Sequence, residues 1–305
     1  MSSIKDLRST IREITQAHLK KFNTFVFGQN LLGVGQVDGT LPSFKNTKHI
    51  VDLPMADVAG GGIVTGAALL GIRPIYIIRY QGYNWFNMIF IINYACKSKE
   101  IWKISCPIWI RGIANEGCIG PVASSSHVSI FYKMPGIKIF SPMTSYEYRQ
   151  IYNLFLRDDC PYYISEHRKS FGISVRMKNI YFDKPKIVVI LNSVTRLNAN
   201  TIISYFKKIN INIGIIHLYK LKPFTLNTKE RSMIINSQFG VLLCDNDYED
   251  GLIALLSFNI CKIFGSKIAI NSCGLINKTA GNHPNSDVLP PDSSKIIEKI
   301  KKIIN

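Results

Sequence analysis

The sequence predicts an α/β protein built as two three-layer α/β/α domains, each with a mostly parallel sheet. Three observations lead there. Short apolar runs rich in β-branched residues alternate with stretches of helical periodicity, the pattern of parallel strands covered on both faces. The alternation stops in Ser170–Lys186, which is polar and irregular and carries basic residues and a proline, and it resumes beyond. The 305 residues suffice for two separate cores. The expected organisation is a first domain over 1–178, a linker over 179–186 and a second domain over 187–305.

The elements follow in chain order. MSSIKDLRSTIREITQ has the pattern of an amphipathic helix and lacks the uninterrupted apolar segment of a signal peptide. Strands are expected at Thr24–Phe27, Ile75–Arg79, Ile108–Arg111, Lys138–Phe140 and Pro161–Ser165. Helices are expected between them at Val58–Leu70, Trp85–Lys97, Val128–Met134 and Ser145–Leu156. Gly71 closes the first of these helices and Pro74 cannot continue it. That helix is mostly Gly, Ala and small β-branched residues, which implies that other backbone or a ligand approaches it closely. In the second block the expected strands are Ile187–Leu191, Ile213–Leu218, Gly240–Cys244 and Ile268–Asn271. Its helices are Ala199–Lys208, Thr228–Asn236, Gly251–Phe264 and Ser293–Ile304.

Composition narrows the function classes. Hydrophobic residues are 47% and charged residues 19%, so the chain is globular and not disordered. The longest apolar candidate, around Met88–Tyr94, falls short of the roughly 20 residues of a membrane span. Seven scattered cysteines without a CxxC pair argue against a disulfide framework and a zinc site. Reduced thiols point to the cytoplasm, with an organelle matrix or plastid left open. A net charge of +17 invites a nucleic-acid reading. The lysines are spread along the chain, however, and no nucleic-acid motif accompanies them.

Four phrases carry a resemblance. DLPMADVAGGGIVTGAALLGIRPI (Asp52–Ile75), PGIKIFSP (Pro135–Pro142), LRDDCPYYISEH (Leu156–His167) and HLYKLKPF (His217–Phe224) resemble, in order and spacing, the β subunit of the decarboxylase component of pyruvate and branched-chain 2-oxo-acid dehydrogenases. The similarity runs from about Leu7 to Ile304. It implies a transketolase-like domain that binds the aminopyrimidine of thiamine diphosphate, followed by a transketolase C-terminal-like domain. In such a protein a separate α-type chain holds the diphosphate and Mg2+ in an α2β2 assembly, and a lipoyl acyltransferase takes the product. This chain shows no Gly-Asp-Gly…Asn motif of its own for the metal.

The resemblance also assigns residues. The family's Pro-x-x-Glu, whose carboxyl meets the pyrimidine ring, matches Pro54-Met55-Ala56-Asp57, so Asp57 is the candidate acid on a shorter side chain. As a residue at a helix start, Asp57 equally reads as an N-cap. The stacking aromatic falls on Tyr83, beside Tyr80 and Trp85; these rings also suit an ordinary aromatic core. Gln29, in FGQN, stands where the family has an acidic residue, and Arg111 where it usually has arginine. The family's loop histidine falls on Ala123 or Ser125, neither of which moves a proton near neutral pH. His127, a little further on, is either its replacement or a surface or cap residue. Three functions stay open: a decarboxylating β subunit, a split transketolase or carboligase subunit, and a catalytically degenerate β-like chain kept as a scaffold or regulator.

Overall fold

The computed structural model describes residues 5–33, 35–43, 47–115, 126–277 and 289–305. Two compact units emerge, divided between Arg176 and Met177. In the first unit the strands are β1 (Val26–Gln29), β2 (Ile50–Leu53), β3 (Ile75–Ile78), β4 (Trp109–Ala114), β5 (Lys138–Phe140) and β6 (Tyr162–His167). They run side by side as β2-β1-β3-β4-β6-β5, every pair parallel. β3 and β4 are buried along their whole length, as central strands covered on both faces must be. The N-terminal helix Leu7–Phe22 starts at Asp6, whose carboxylate accepts the Ser9 N–H at 2.8 Å. It buries Leu7, Ile11, Ile14 and His18.

A buried ion pair ties β4 to β6. Arg111 Nε donates to Glu166 Oε1 at 2.7 Å and its Nη2 to Oε2 at 2.8 Å, with both side chains fully enclosed. The Tyr148 hydroxyl donates to the same carboxylate at 2.8 Å, and Thr40 Oγ1 accepts from Arg111 Nη2 at 2.9 Å. Bidentate geometry and these added bonds offset the desolvation of two buried charges.

The second unit holds β7 (Ile187–Asn192), β8 (Ile213–Leu218), the short β9 (Lys220–Lys222), β10 (Val241–Tyr248) and β11 (Ile270–Leu275). Four of these form a parallel sheet in the order β11-β10-β7-β8. Its core joins Val189 and Leu191 of β7 to Ile202 and Phe206 of helix Ala199–Lys208 and Ile296 and Ile300 of helix Ser293–Ile304. The stretch 179–186 is fastened to this unit. Ile180 bridges to Ile215, and Asn179 Oδ1 accepts the His217 N–H at 2.8 Å.

Several elements differ from expectation. β2 and β9 have no counterpart in the sequence reading; both are short, and β2 runs into Pro54. β10 continues through the polar Asp245-Asn246-Asp247, with a register irregularity before Tyr248. β11 lies two residues later than the expected Ile268–Asn271. The single helix expected at Trp85–Lys97 is instead a turn at Asn84–Asn87, a wider-pitch turn at Ile91–Ala95 and a helix at Cys96–Ile101. The six described cysteines are unbridged. No helix among the described residues is long and apolar enough to cross a membrane.

Candidate functional site

In a parallel sheet, the crevice for a ligand opens beyond the carboxyl ends of the strands, where the strand order reverses. Here the chain leaves β1 for β2 on one side and then returns to place β3 on the other. A cavity of about 180 Å3 lies at this reversal, lined by Gln29, Asn30, Met55, Asp57, Ile77, Ile78, Arg79, Tyr80, Tyr83 and Asn87. Gln29 is the last residue of β1, and Ile77 and Ile78 end β3.

Asp57 is the first residue of helix Asp57–Leu69, but it does not cap it. The cap position is Ala56, and no side chain closes it. The Asp57 carboxylate turns to the cavity, where Oδ1 accepts from Gln29 Nε2 at 2.9 Å and from Asn87 Nδ2 at 2.6 Å. Among the described residues Oδ2 accepts no hydrogen bond. The helix comes close to its neighbours because of its glycines. A Cβ on Gly61 would lie 2.1 Å from the Asn87 carbonyl oxygen, and one on Gly60 2.8 Å from the Tyr76 hydroxyl. The close approach expected from the small residues is therefore made by the backbone and rings of the chain itself.

Asn87 is a buried junction. Its Oδ1 accepts from the Tyr76 hydroxyl, and Nδ2 donates to the Tyr83 carbonyl at 2.9 Å as well as to Asp57. Burial, and then the nearby Asp57 charge, push the Tyr76 hydroxyl above its ordinary range, so it stays a donor. Tyr80 and Tyr83 form the aromatic wall, with ring centroids 6.2 Å apart and planes inclined at 51°. The Arg168 guanidinium lies 5.1 Å from the Tyr80 ring centroid, a cation–π contact, and forms an ion pair with Asp38 at 3.0 Å.

Of the residues singled out in the sequence, the structure thus brings Gln29, Asp57, Tyr80 and Tyr83 to one cavity. It does not bring Arg111 there; that side chain is spent on Glu166 inside the sheet. Nor does His127 line the cavity. Its backbone N–H donates to Gln81 Oε1 at 2.9 Å, and Gln81 is itself bonded to Ser165 and to the Gly112 carbonyl. Trp85 is exposed to solvent. Ala123 and Ser125 lie outside the described residues. Sequence reasoning passed over Asn87. The available signal was a polar side chain inside the apolar run Trp85–Ile92, which must find a partner when buried.

Comparisons with known proteins bear on the family and the fold. Residues 6–173 match the family model of the transketolase pyrimidine-binding domain. The chain is 26% identical over 242 residues to the pyruvate dehydrogenase E1 component subunit beta of Rickettsia bellii, covering 73% of this chain and 74% of that protein. It is 30% identical over 157 residues to the 2-oxoisovalerate dehydrogenase subunit beta of Bacillus subtilis, covering 49% and 47% of the two. A solved split-gene transketolase, described as an inactive β4 tetramer, superposes with a TM-score of 0.69 at 12% identity over 97% of both chains. That likeness concerns the fold alone.

Proposed function

Because this chain belongs to the transketolase pyrimidine-binding-domain family, we propose that it is the β-type subunit of a two-chain thiamine-diphosphate enzyme that decarboxylates a 2-oxo acid. The relatives named as β subunits of pyruvate and 2-oxoisovalerate dehydrogenases support the reaction class. One observation carries the site: the Asp57 carboxylate is gripped on Oδ1 by two amides, while Oδ2 is left to a cavity walled by Tyr80 and Tyr83.

These groups fit an aminopyrimidine. Oδ2 offers a hydrogen-bond acceptor or, once protonated, a donor to a ring nitrogen, and the tyrosine rings offer faces for stacking. When bound, thiamine diphosphate supplies the carbanion chemistry that lets a 2-oxo acid lose carbon dioxide. Asp57 holds the proton at the pyrimidine; Tyr80, Tyr83, Ile77 and Ile78 exclude water from that ring and set its plane. A separate α-type chain holds the diphosphate and Mg2+ and completes an α2β2 assembly, with the lipoyl group of an acyltransferase as the acceptor. The shorter reach of aspartate is the demanding feature, since a shift of about 1 Å can cost on the order of 100-fold in rate.

Calorimetry with thiamine diphosphate and Mg2+, on this chain alone and on its complex with an α-type chain, tests the reading. Binding in the complex only, lost in Asp57→Ala with assembly intact, is the expected result. A stable complex that never binds the cofactor overturns it in favour of a purely structural chain.

A further inference from the structure

We propose that Asn87 is the positioning residue for the Asp57 carboxylate, and that the chain accommodates an acid of aspartate length because the Asn87 amide occupies the space that a longer acid would need. The proposal rests on the reading of Asp57 as the pyrimidine-facing acid.

The geometry is over-determined. Asn87 is 4% exposed, and both hydrogens of its amide are committed, one to Asp57 Oδ1 at 2.6 Å and one to the Tyr83 carbonyl at 2.9 Å. The Tyr76 hydroxyl, a donor, faces Asn87 Oδ1. Turning the amide over would set its oxygen against the Asp57 carboxylate and the Tyr83 carbonyl, both acceptors, so only one orientation is stable. Gln29 Nε2 reaches the same Oδ1 from the end of β1, on the other side. The carboxylate is therefore fixed between the sheet and the Asn84–Asn87 turn, with Oδ2 presented to the cavity.

Gly60 and Gly61 make this possible. Gly61 admits the Asn87 backbone and Gly60 admits the Tyr76 hydroxyl, so the turn bearing Asn87 stands against the helix bearing Asp57. A glutamate at 57 would drive its extra methylene into the Asn87 amide or carry its carboxyl past the bonded position.

Reciprocal substitution tests this. In the complex with an α-type chain, Asn87→Ala and Asp57→Glu should each weaken thiamine-diphosphate binding by about tenfold, the scale of one charged hydrogen bond. The double variant should recover most of that loss, because the longer acid enters the space left by the amide. Near-ultraviolet circular dichroism of the bound pyrimidine should be altered in each single variant and restored in the double one. Additive losses, or unchanged affinity in Asn87→Ala, overturn the proposal. Should Asn87→Ala fold poorly because Tyr76 loses its acceptor, adding Tyr76→Phe removes the stranded hydroxyl. A double-mutant cycle of Asn87→Ala and Asp57→Ala in urea unfolding of the chain alone keeps the two readings apart. A wild-type complex without cofactor binding rejects the proposed function, and absence of coupling in that cycle rejects the Asn87 clamp.

Discussion

Gln29 occupies a position where the family resemblance leads one to expect an acid, and the structure gives the amide a purpose. Its Nε2 donates to Asp57 Oδ1 at 2.9 Å; a glutamate there would face one carboxylate with another. Two carboxylates at that distance share a single proton, since both cannot ionise cheaply. Gln29→Glu is therefore expected to weaken thiamine-diphosphate binding by about tenfold at neutral pH. The deficit relative to wild type should shrink as the pH is lowered and the pair gains its proton. Calorimetry across pH checks this, and a constant deficit would count against it. Arg111 teaches the opposite lesson about single positions. Its identity is what the resemblance leads one to expect, yet its partner Glu166 stands on a different strand, and no spacing along the chain shows that pairing.

Helix Asp57–Leu69 shows how neighbouring glycines answer to different forces. Alanine is the better helix former by about 1 kcal/mol. At Gly66 nothing lies within 4 Å of an added Cβ, so Gly66→Ala should stabilise the chain by about 0.5–1 kcal/mol. At Gly61 the same methyl meets a backbone carbonyl at 2.1 Å, which cannot yield without moving the Asn84–Asn87 turn. Gly61→Ala should therefore destabilise by about 1–3 kcal/mol. Urea unfolding followed by tryptophan fluorescence reads both. The run of small residues was legible as a place of close approach, but the element that approaches was not. Trp85-Phe86-Asn87-Met88-Ile89-Phe90 is apolar on nearly every side, so no period marks where its helix breaks. The strands that matched expectation, such as β5 (Lys-Ile-Phe) and β8 (Ile-Gly-Ile-Ile-His-Leu), are marked by their isoleucines and by the turn residues around them. The missed β2 has only Ile-Val-Asp-Leu before a proline. Within the site, Asp57, Tyr80, Tyr83 and Gln29 were legible because they sit in or near quotable motifs. Asn87 was not, because it acts through Tyr76 and Asp57, both remote in sequence.

Acid should affect the two units unequally. Burial lowers His18 to about 4 and His167 to about 3 in the first unit. Both are below the unfolded value near 6.5, so the unfolded chain binds more protons between these limits. Their contribution to stability is complete above about pH 6.5 and is lost as the pH falls. Near pH 5 the two together cost on the order of 4 kcal/mol. In the second unit burial likewise lowers His217 to about 3, but burial and Asp247 raise Asp245 to about 7. A raised carboxylate has the opposite sign, stabilising the folded form as pH falls below about 7, so these two roughly cancel. All three tryptophans, Trp85, Trp102 and Trp109, lie in the first unit. The tryptophan-detected urea midpoint should drop sharply between about pH 7 and pH 5, while hydrogen-exchange protection of β7 and β10 changes little. Equal losses in both units would contradict the assignment.

The strand reversal that opens the cavity also bears on how the chain reaches its native state. β2 emerges before β3, yet β1 needs both, one on each flank, and Val26 finds its second partner only at Ile75. In the second unit Val188 likewise waits for Val241. Contacts between residues so far apart close slowly. During synthesis β1 therefore keeps one ladder of backbone groups open until β3 arrives, and an open ladder pairs readily with another chain. The order of strands that makes a place for a ligand thus also leaves a growing chain open to aggregation, and ties its yield to how quickly Ile75–Ile78 follows Val26–Gln29 into the sheet.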